Sequence, residues 1–216
     1  MKIKDFKNHD IVRSSPKKKK NYREYKPFLK HDFKGRCAYC NLRDEAITTP
    51  FHIDHFIPQK KFKGIRDDLD SEYTNLIYSC PKCNNAKGEY FEGNIYEENP
   101  TNELFYDPAL VDYNTIFYIN EVGTIASDDS KGQNMIKLLK LYRPIHILGW
   151  ICEEMKLVRV ELESAIEKET DVEKKQLLID AKNQINDKYC KYRDIFIASY
   201  NDKNFSIKDE KVPVNN

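Results

Sequence analysis

The sequence predicts an α+β fold with a small cysteine-framed core, a following β-hairpin and a long C-terminal helical hairpin. The core is enclosed by two Cys-x-x-Cys pairs, Cys37–Cys40 and Cys80–Cys83. Residues 115–119 and 122–126 are rich in strand formers, and the turn at Asn120–Glu121 between them predicts the β-hairpin. Two apolar stripes that recur every three or four residues predict the helical hairpin, with a turn at residues 168–171: Ile147, Ile151, Met155, Val158, Leu162 and Ile166, then Leu178, Ala181, Ile185, Tyr189, Tyr192 and Phe196.

The first third of the chain combines an irregular start with short regular elements. Residues 1–20 lack apolar periodicity, which predicts a flexible arm. The aromatic and Leu positions between Tyr22 and Phe33 predict a helix after Pro27 that ends at Gly35 and packs against the first cysteine pair. Residues 46–57 are rich in strand formers, and Pro58 ends the predicted strand. Further along, Ser130 is the predicted cap of a helix that ends before Pro144.

These elements predict five segments along the chain. They are a basic flexible arm (1–20), the cysteine-framed domain (21–100), a β-hairpin with a helix (101–145), the helical hairpin (146–203) and a tail (204–216).

The charge of the chain is distributed unevenly. Residues 1–36 carry 13 Lys and Arg against 4 Asp and Glu, a net charge of +9, whereas residues 89–216 carry a net charge of −8. The run Lys17, Lys18, Lys19 and Lys20 predicts contacts with the phosphates of a nucleic acid, although a lysine run is equally often a solvated tail. No apolar run reaches the ~18 residues of a membrane helix, and the Lys-rich start does not resemble a secretory signal. We therefore expect a cytoplasmic protein without a membrane partner.

The two cysteine pairs predict one structural zinc site. Zinc binds four thiolates in a tetrahedron, and each Cys-x-x-Cys turn supplies two of them. The 39 residues between Cys40 and Cys80 exceed the spacing of a simple zinc ribbon, which indicates a working element between the pairs. The alternative is two unrelated buried thiol pairs. Cys152 and Cys190 lie on or near the helical stripes, and we expect them to be core thiols.

Between the cysteine pairs, Asp54 and His55 have the chemistry of a phosphodiesterase centre. Hydrolysis of a phosphodiester needs a general base near neutral pH, and histidine has a suitable pKa. It also needs a hard cation such as Mg²⁺, which prefers carboxylate and amide oxygens. Asp54 and Asn84 supply such oxygens. An Asp-His pair alone is weak evidence, and the zinc frame around it makes the assignment specific.

These residues together resemble the HNH endonucleases with the ββα-metal fold, and the cysteine clamp resembles the McrA-type members. The resemblance rests on Cys37-x-x-Cys40, Asp54-His55-x-x-Pro58, Asn75-Leu76, Cys80-x-x-Cys83 and Asn84-x-x-Lys87, and it covers about 50 residues. It implies that His55 is the general base, that Asp54 and Asn84 bind Mg²⁺ or Mn²⁺, and that Asn75 holds the loop after His55.

Several assignments stay open within this resemblance. Many family members have His at the position of Asn84, so the preferred catalytic metal is open. Asn85 is a rival metal ligand. Lys87 contacts a phosphate or caps the site. His52 lies two residues before Asp54, on the same side of the strand, and it assists the site or merely packs.

The flanking sequences resemble the HNH subunits of Septu and retron anti-phage systems, which work beside an ABC-type ATPase. The matching stretches are Tyr22-Arg23-x-Tyr25-Lys26, Gly35–Cys40 and residues 104–108, followed by a helical tail. The resemblance implies a DNA endonuclease in a defence complex, docked through the helical hairpin onto an ATPase or onto a second copy. RNA remains open as a substrate. The competing hypothesis is a zinc-framed module that binds nucleic acid or acts as a scaffold without catalysis.

Overall fold

A short antiparallel sheet with one helix against it carries the region between the cysteine pairs. The computed structural model describes residues 2–45 and 49–201, and the chain divides into two compact units, Met1–Ile151 and Cys152–Asn216. The strands are β1 (Lys2–Asp5), β2 (His52–His55), β3 (Leu76–Ser79), β4 (Tyr118–Asn120) and β5 (Ile125–Ala126). The helices are α1 (Lys26–Asp32), α2 (Gln59–Phe62), α3 (Pro81–Lys87), α4 (Ser130–Leu138), α5 (Pro144–Lys168) and α6 (Val172–Asn201).

Strands β2 and β3 and helix α3 form the ββα element of the first unit. The two strands pair antiparallel, with His52 opposite Ser79 and His55 opposite Leu76. Every residue of β3 is buried. Helix α3 begins directly after Cys80 with Pro81 in its first turn, where the missing N–H of proline costs no helical hydrogen bond. The second cysteine pair therefore joins β3 to α3.

Helix α1 buries the predicted apolar stripe, but it begins at Lys26, before Pro27, and ends at Asp32 rather than at Gly35. A short 3₁₀ turn, Tyr22–Tyr25, precedes it, and the Asn21 side chain caps this turn. Pro27 lies in the first turn of α1, and Leu29 and Phe33 are fully buried.

The chain before Tyr22 differs from the flexible arm predicted for residues 1–20. Strand β1 pairs with β4, with Lys4 opposite Ile119, and the three-stranded sheet has the order β1-β4-β5. Arg13 donates hydrogen bonds of 2.9 Å to the carbonyl oxygens of Tyr73 and Leu76. The Ser14 amide donates to Asp32 at 2.8 Å. These partners lie far away in sequence, so the lack of local periodicity did not imply a free arm.

Further predictions needed correction at their boundaries. The strand predicted over residues 122–126 is limited to β5, and the helix predicted to end before Pro144 ends at Leu138. The strand predicted over residues 46–57 is limited to β2, and residues 46–48 lie outside the described residues. The predicted strand at residues 115–119 begins only at Tyr118, because Tyr113–Thr115 forms a 3₁₀ turn. Helix α4 is capped by Asp129 rather than Ser130, since the Asp129 carboxylate accepts from the Gly132 amide at 2.7 Å.

The long helical pair is confirmed, with its turn between Lys168 and Val172 as predicted. Within the second unit, Lys182 on α6 pairs with Glu163 on α5 at 2.9 Å. The ammonium of Lys156 and the guanidinium of Arg159 lie over the Tyr189 ring. Cys152 is buried as expected, but Cys190 is exposed, so the prediction of a core thiol there is wrong.

Membrane insertion of the helical pair is not indicated. None of the helices in the described part of the chain has the length and apolar character needed to span a bilayer.

Candidate active site and zinc centre

The four cysteines of the two pairs lie together in the first unit. Their Sγ atoms all fall within 4.8 Å of one another, and all four thiols are buried and free of disulfides: Cys37, Cys40, Cys80 and Cys83. Among the residues that the structure describes, this is the one such group of potential metal ligands. Four buried thiols at this separation match the donor set of a structural zinc site. The alternative of two unrelated thiol pairs does not fit this geometry.

Tight turns hold each cysteine pair in place. Asn41, with a positive φ of 62°, follows Cys40, and its amide donates to the Cys37 carbonyl at 2.9 Å. The Cys37 amide in turn donates to the Leu42 carbonyl at 2.8 Å. In the second pair the Cys83 amide points at the Cys80 sulfur at 3.4 Å. These turns hold the two sulfur atoms of each pair, and all four sulfur atoms face a common centre.

Lys7 is a charged neighbour of this cluster that the sequence analysis missed. Its side chain is buried, its ammonium donates to the Ala38 carbonyl at 2.7 Å, and it lies 4.2 Å from the centre of the Tyr113 ring. Burial lowers the pKa of Lys7 to about 7, while the charges of Cys37 and Cys40 act in the opposite direction. A cation at this position would oppose the negative charge of four thiolates around zinc.

Asp54 is a buried carboxylate with both oxygens engaged. The Tyr39 hydroxyl donates to Oδ2 at 2.7 Å, and the Lys87 ammonium donates to Oδ1 at 3.1 Å. Lys87 also donates to the His55 carbonyl at 2.7 Å. Burial raises the pKa of Tyr39 well above its usual range, so its hydroxyl remains a donor.

The burial of Lys87 bears on the two roles that the sequence left open. Its side chain is 0% exposed, so it does not fit a phosphate contact. It fits the alternative role of capping the site, since its ammonium donates to Asp54 and to the His55 carbonyl, both of β2.

His55 is oriented by the backbone and by two aromatic rings. Its Nε2 lies 2.9 Å from the Asp70 carbonyl, and because a carbonyl only accepts, Nε2 carries the proton. Nδ1 is therefore the nitrogen with a free lone pair. The centre of the imidazole ring lies 4.8 Å from the centre of the Tyr22 ring, in a T-shaped arrangement, and 5.7 Å from the centre of the Phe62 ring. Burial lowers the pKa of His55, which keeps the imidazole neutral at pH 7.

Asn75 connects the two sides of the loop that follows His55. Its Oδ1 accepts from the Ile57 amide at 2.8 Å, and its Nδ2 donates to the Leu69 carbonyl at 3.0 Å. The Phe56 amide also donates to the Asn75 carbonyl at 2.8 Å. The side chain is buried, so these bonds are shielded from water and fix residues 56–57 relative to residue 69.

Asn84, in the middle of α3, and His52, the first residue of β2, form a polar pair. The Asn84 side-chain amide donates to His52 Nδ1 at 3.1 Å, which leaves its Oδ1 as a possible metal ligand. Burial and the charge of Lys26 lower the pKa of His52, which favours a neutral ring. His52 thus contacts the predicted metal ligand Asn84.

One open cleft collects the predicted catalytic residues. It has a volume of about 570 Å³ and includes Asp54, His55, Asn84 and Asn85 in its lining. Both candidates for the second metal ligand, Asn84 and Asn85, therefore remain. Other lining residues are Tyr22, Ile53, Pro58, Gln59, Lys60, Gly88 and Glu89. Tyr22 in this cleft was predicted only as a core residue.

The lysine run, Lys17–Lys20, ends two residues before Tyr22 in the sequence. Lys17, Lys18 and Lys20 are exposed, while Lys19 is half-buried with its ammonium 5.6 Å from the centre of the Phe28 ring. The Lys19 amide donates to the Tyr25 hydroxyl at 2.8 Å. The run is thus anchored at Lys19, three residues before Tyr22, which lines the cleft.

A comparison with protein families places this site in a known context. Residues 37–89, about a quarter of the chain, match the family model described as HNH endonuclease. The match extends from the first cysteine of the cluster to two residues beyond Lys87. No curated protein and no solved structure gives a significant match.

Proposed function

Because residues 37–89 are an HNH endonuclease domain, we propose that the protein is a metal-dependent endonuclease that hydrolyses phosphodiester bonds of DNA. The observation that carries this proposal is the cleft that Asp54, His55 and Asn84 line together. A scaffold module would not need a carboxylate, a neutral histidine and an amide oxygen in one cleft.

The proposed mechanism gives each cleft residue one role. Nδ1 of His55 accepts a proton from the attacking water, whose oxygen forms a bond to phosphorus while the bond to the leaving ester oxygen breaks. Asp54 and Asn84 would hold Mg²⁺ or Mn²⁺, and the bound cation would offset the negative charge that develops on the phosphate. The leaving oxygen takes its proton from solvent. Asn75 keeps His55 and the following loop in position.

Substrate binding would use charge outside the cleft. The run Lys17–Lys20 offers three exposed ammonium groups next to the segment that contains Tyr22. Such contacts bind the phosphate backbone without reading base sequence. RNA is the competing substrate. Cleavage of DNA and of single-stranded RNA of the same length, measured side by side, shows which of the two the protein hydrolyses.

The direct test is a plasmid-nicking assay with zinc-loaded protein in the presence of Mg²⁺ or Mn²⁺. We expect wild-type protein to cleave and His55→Ala to lose about 10²–10⁴ in rate, because a general base contributes that much. His31→Ala is the matched control, since His31 is an exposed histidine of α1 outside the cleft. Cleavage by His55→Ala at the wild-type rate, or binding without any cleavage by wild-type protein, would contradict the proposal.

The biological setting that we propose is an anti-phage defence complex in which α5 and α6 dock a partner, an ABC-type ATPase or a second copy. The support is the resemblance of the flanking sequences, together with exposed apolar residues on both helices at Leu157, Val160 and Leu177. Light scattering of the purified protein tests self-association. Co-expression with a candidate ABC-type ATPase tests that partner. If the two proteins co-purify, the double variant Leu157→Glu with Val160→Glu should abolish the association.

A further inference from the structure

The carboxylate of Asp54 is held by one residue from each cysteine pair's segment. Tyr39 lies between Cys37 and Cys40, and its hydroxyl donates to Oδ2 at 2.7 Å. Lys87 lies four residues after Cys83, and its ammonium donates to Oδ1 at 3.1 Å. The cysteine cluster and the cleft are therefore connected through two hydrogen bonds that end on the same side chain.

The Tyr39 hydroxyl contributes a hydrogen bond to Asp54 rather than packing volume. Tyr39 is fully buried, so a phenylalanine would fill the same space. Because each carboxylate oxygen accepts more than one hydrogen bond or metal contact, Tyr39 and Lys87 leave lone pairs on Asp54 for a cation in the cleft. The two donors fix the plane of the carboxylate and hence the direction of those lone pairs.

We propose that Tyr39 is a positioning residue through which the four-cysteine zinc centre sets the geometry of the catalytic metal site. The role of Asp54 as a metal ligand rests on the proposed function, whereas the Tyr39 contact is independent of it. Zinc holds the turn that contains Tyr39, the Tyr39 hydroxyl orients Asp54, and Asp54 presents its oxygens to the divalent cation. Groups that orient a metal ligand typically change metal affinity 10–100-fold when they are removed.

The test measures Mn²⁺ binding to zinc-loaded protein by electron paramagnetic resonance, so that activity is not the readout. Tyr39→Phe should retain one zinc and bind Mn²⁺ about 10–100-fold more weakly. Tyr78→Phe is the matched control. Tyr78 is also fully buried and donates to a carboxylate, Asp44, that does not line the cleft, so this variant should bind Mn²⁺ as wild type does.

Each outcome separates the inference from the proposed function. Wild-type protein that binds Mn²⁺ together with an unchanged affinity in Tyr39→Phe overturns the inference alone. Wild-type protein that binds no Mn²⁺ overturns the proposed function and the inference with it. In an Asp54→Asn background, Tyr39→Phe should have no further effect on Mn²⁺ binding.

A second measurement keeps the Tyr39 hydroxyl, and it tests the inference even if Tyr39→Phe does not fold. A single 3-fluorotyrosine at position 39 gives one ¹⁹F signal, which should shift when Mg²⁺ is added because the hydroxyl contacts a metal ligand. The same label at position 78 should not shift. A position-39 signal that ignores saturating Mg²⁺ would count against the coupling.

Discussion

Replacing Lys87 with methionine tests the buried ion pair beneath the cleft. Methionine keeps most of the volume of the side chain but removes the ammonium. Lys87 is 0% exposed, so solvent does not reach the position that its ammonium occupies beside Asp54. Removing one partner of a buried pair costs about 3–5 kcal/mol, because the remaining charge stays buried without compensation. We therefore expect Lys87→Met to lose about 3–5 kcal/mol of unfolding free energy.

The assay is urea unfolding of zinc-loaded protein in buffer without Mg²⁺ or Mn²⁺. The matched control is Lys61→Met, an exposed lysine of α2, which should change stability by less than about 0.5 kcal/mol. A double-mutant cycle completes the test, because Lys87→Met should cost much less in an Asp54→Asn background where no carboxylate charge remains. Added Mn²⁺ should stabilise Lys87→Met more than it stabilises wild type, since the cation supplies the missing positive charge.

Two results would refute this reasoning. The first is a Lys87→Met protein as stable as wild type, which would mean that Lys87 is not buried against Asp54. The second is a cost that is equal in the presence and absence of Asp54, which would assign the loss to packing rather than to charge.

Three further predictions follow from the same structure. Protein purified without added metal should contain one zinc per chain, and Cys37→Ser should lose both zinc and folding, because the binding energy of a structural zinc is folding energy; folded wild-type protein without zinc would contradict this. Changing the run Lys17–Lys20 to alanine should flatten the slope of log K against log salt for duplex DNA by up to about 2.7, at about 0.9 for each of the three exposed lysines; an unchanged slope would make the run a solvated segment. Burial lowers the pKa of His146 to about 4, so the unfolded chain takes up the proton first and about 3 kcal/mol of stability is lost as the pH falls from about 6.5 to 4; the difference in stability between wild type and His146→Leu should show this pH dependence, and a pH-independent difference would refute it.

The parts of the fold that the sequence predicted well are those with local signals. The long helices follow apolar stripes over many turns, so α5 and α6 end and begin at the predicted turn. The cysteine pairs predicted their own cluster, because a Cys-x-x-Cys turn fixes two sulfur atoms by itself. The Asp54-His55 pair and Asn84 were found through motif spacing, and they line one cleft.

The features that the sequence analysis missed depend on contacts between distant parts of the chain. Arg13 binds carbonyl groups about sixty residues away, so nothing near it in sequence indicated an ordered segment. Lysine is usually a surface residue, yet Lys7 and Lys87 are both buried. Their partners, the Ala38 carbonyl and the Asp54 carboxylate, lie more than thirty residues away in sequence. Tyr39 had one indirect signal, its place between two metal ligands, but its partner Asp54 is fifteen residues further along.

The most direct test of the proposed endonuclease is the position of Mn²⁺ in crystals soaked with that ion. The proposal predicts an anomalous difference peak in the cleft, about 2.1 Å from an oxygen of Asp54 and from the Asn84 side-chain oxygen. A peak on Asn85 instead of Asn84 would exchange the second ligand and keep the mechanism. A soak at saturating Mn²⁺ that gives no anomalous peak in the cleft, or a peak only away from Asp54, would contradict the proposed catalytic site.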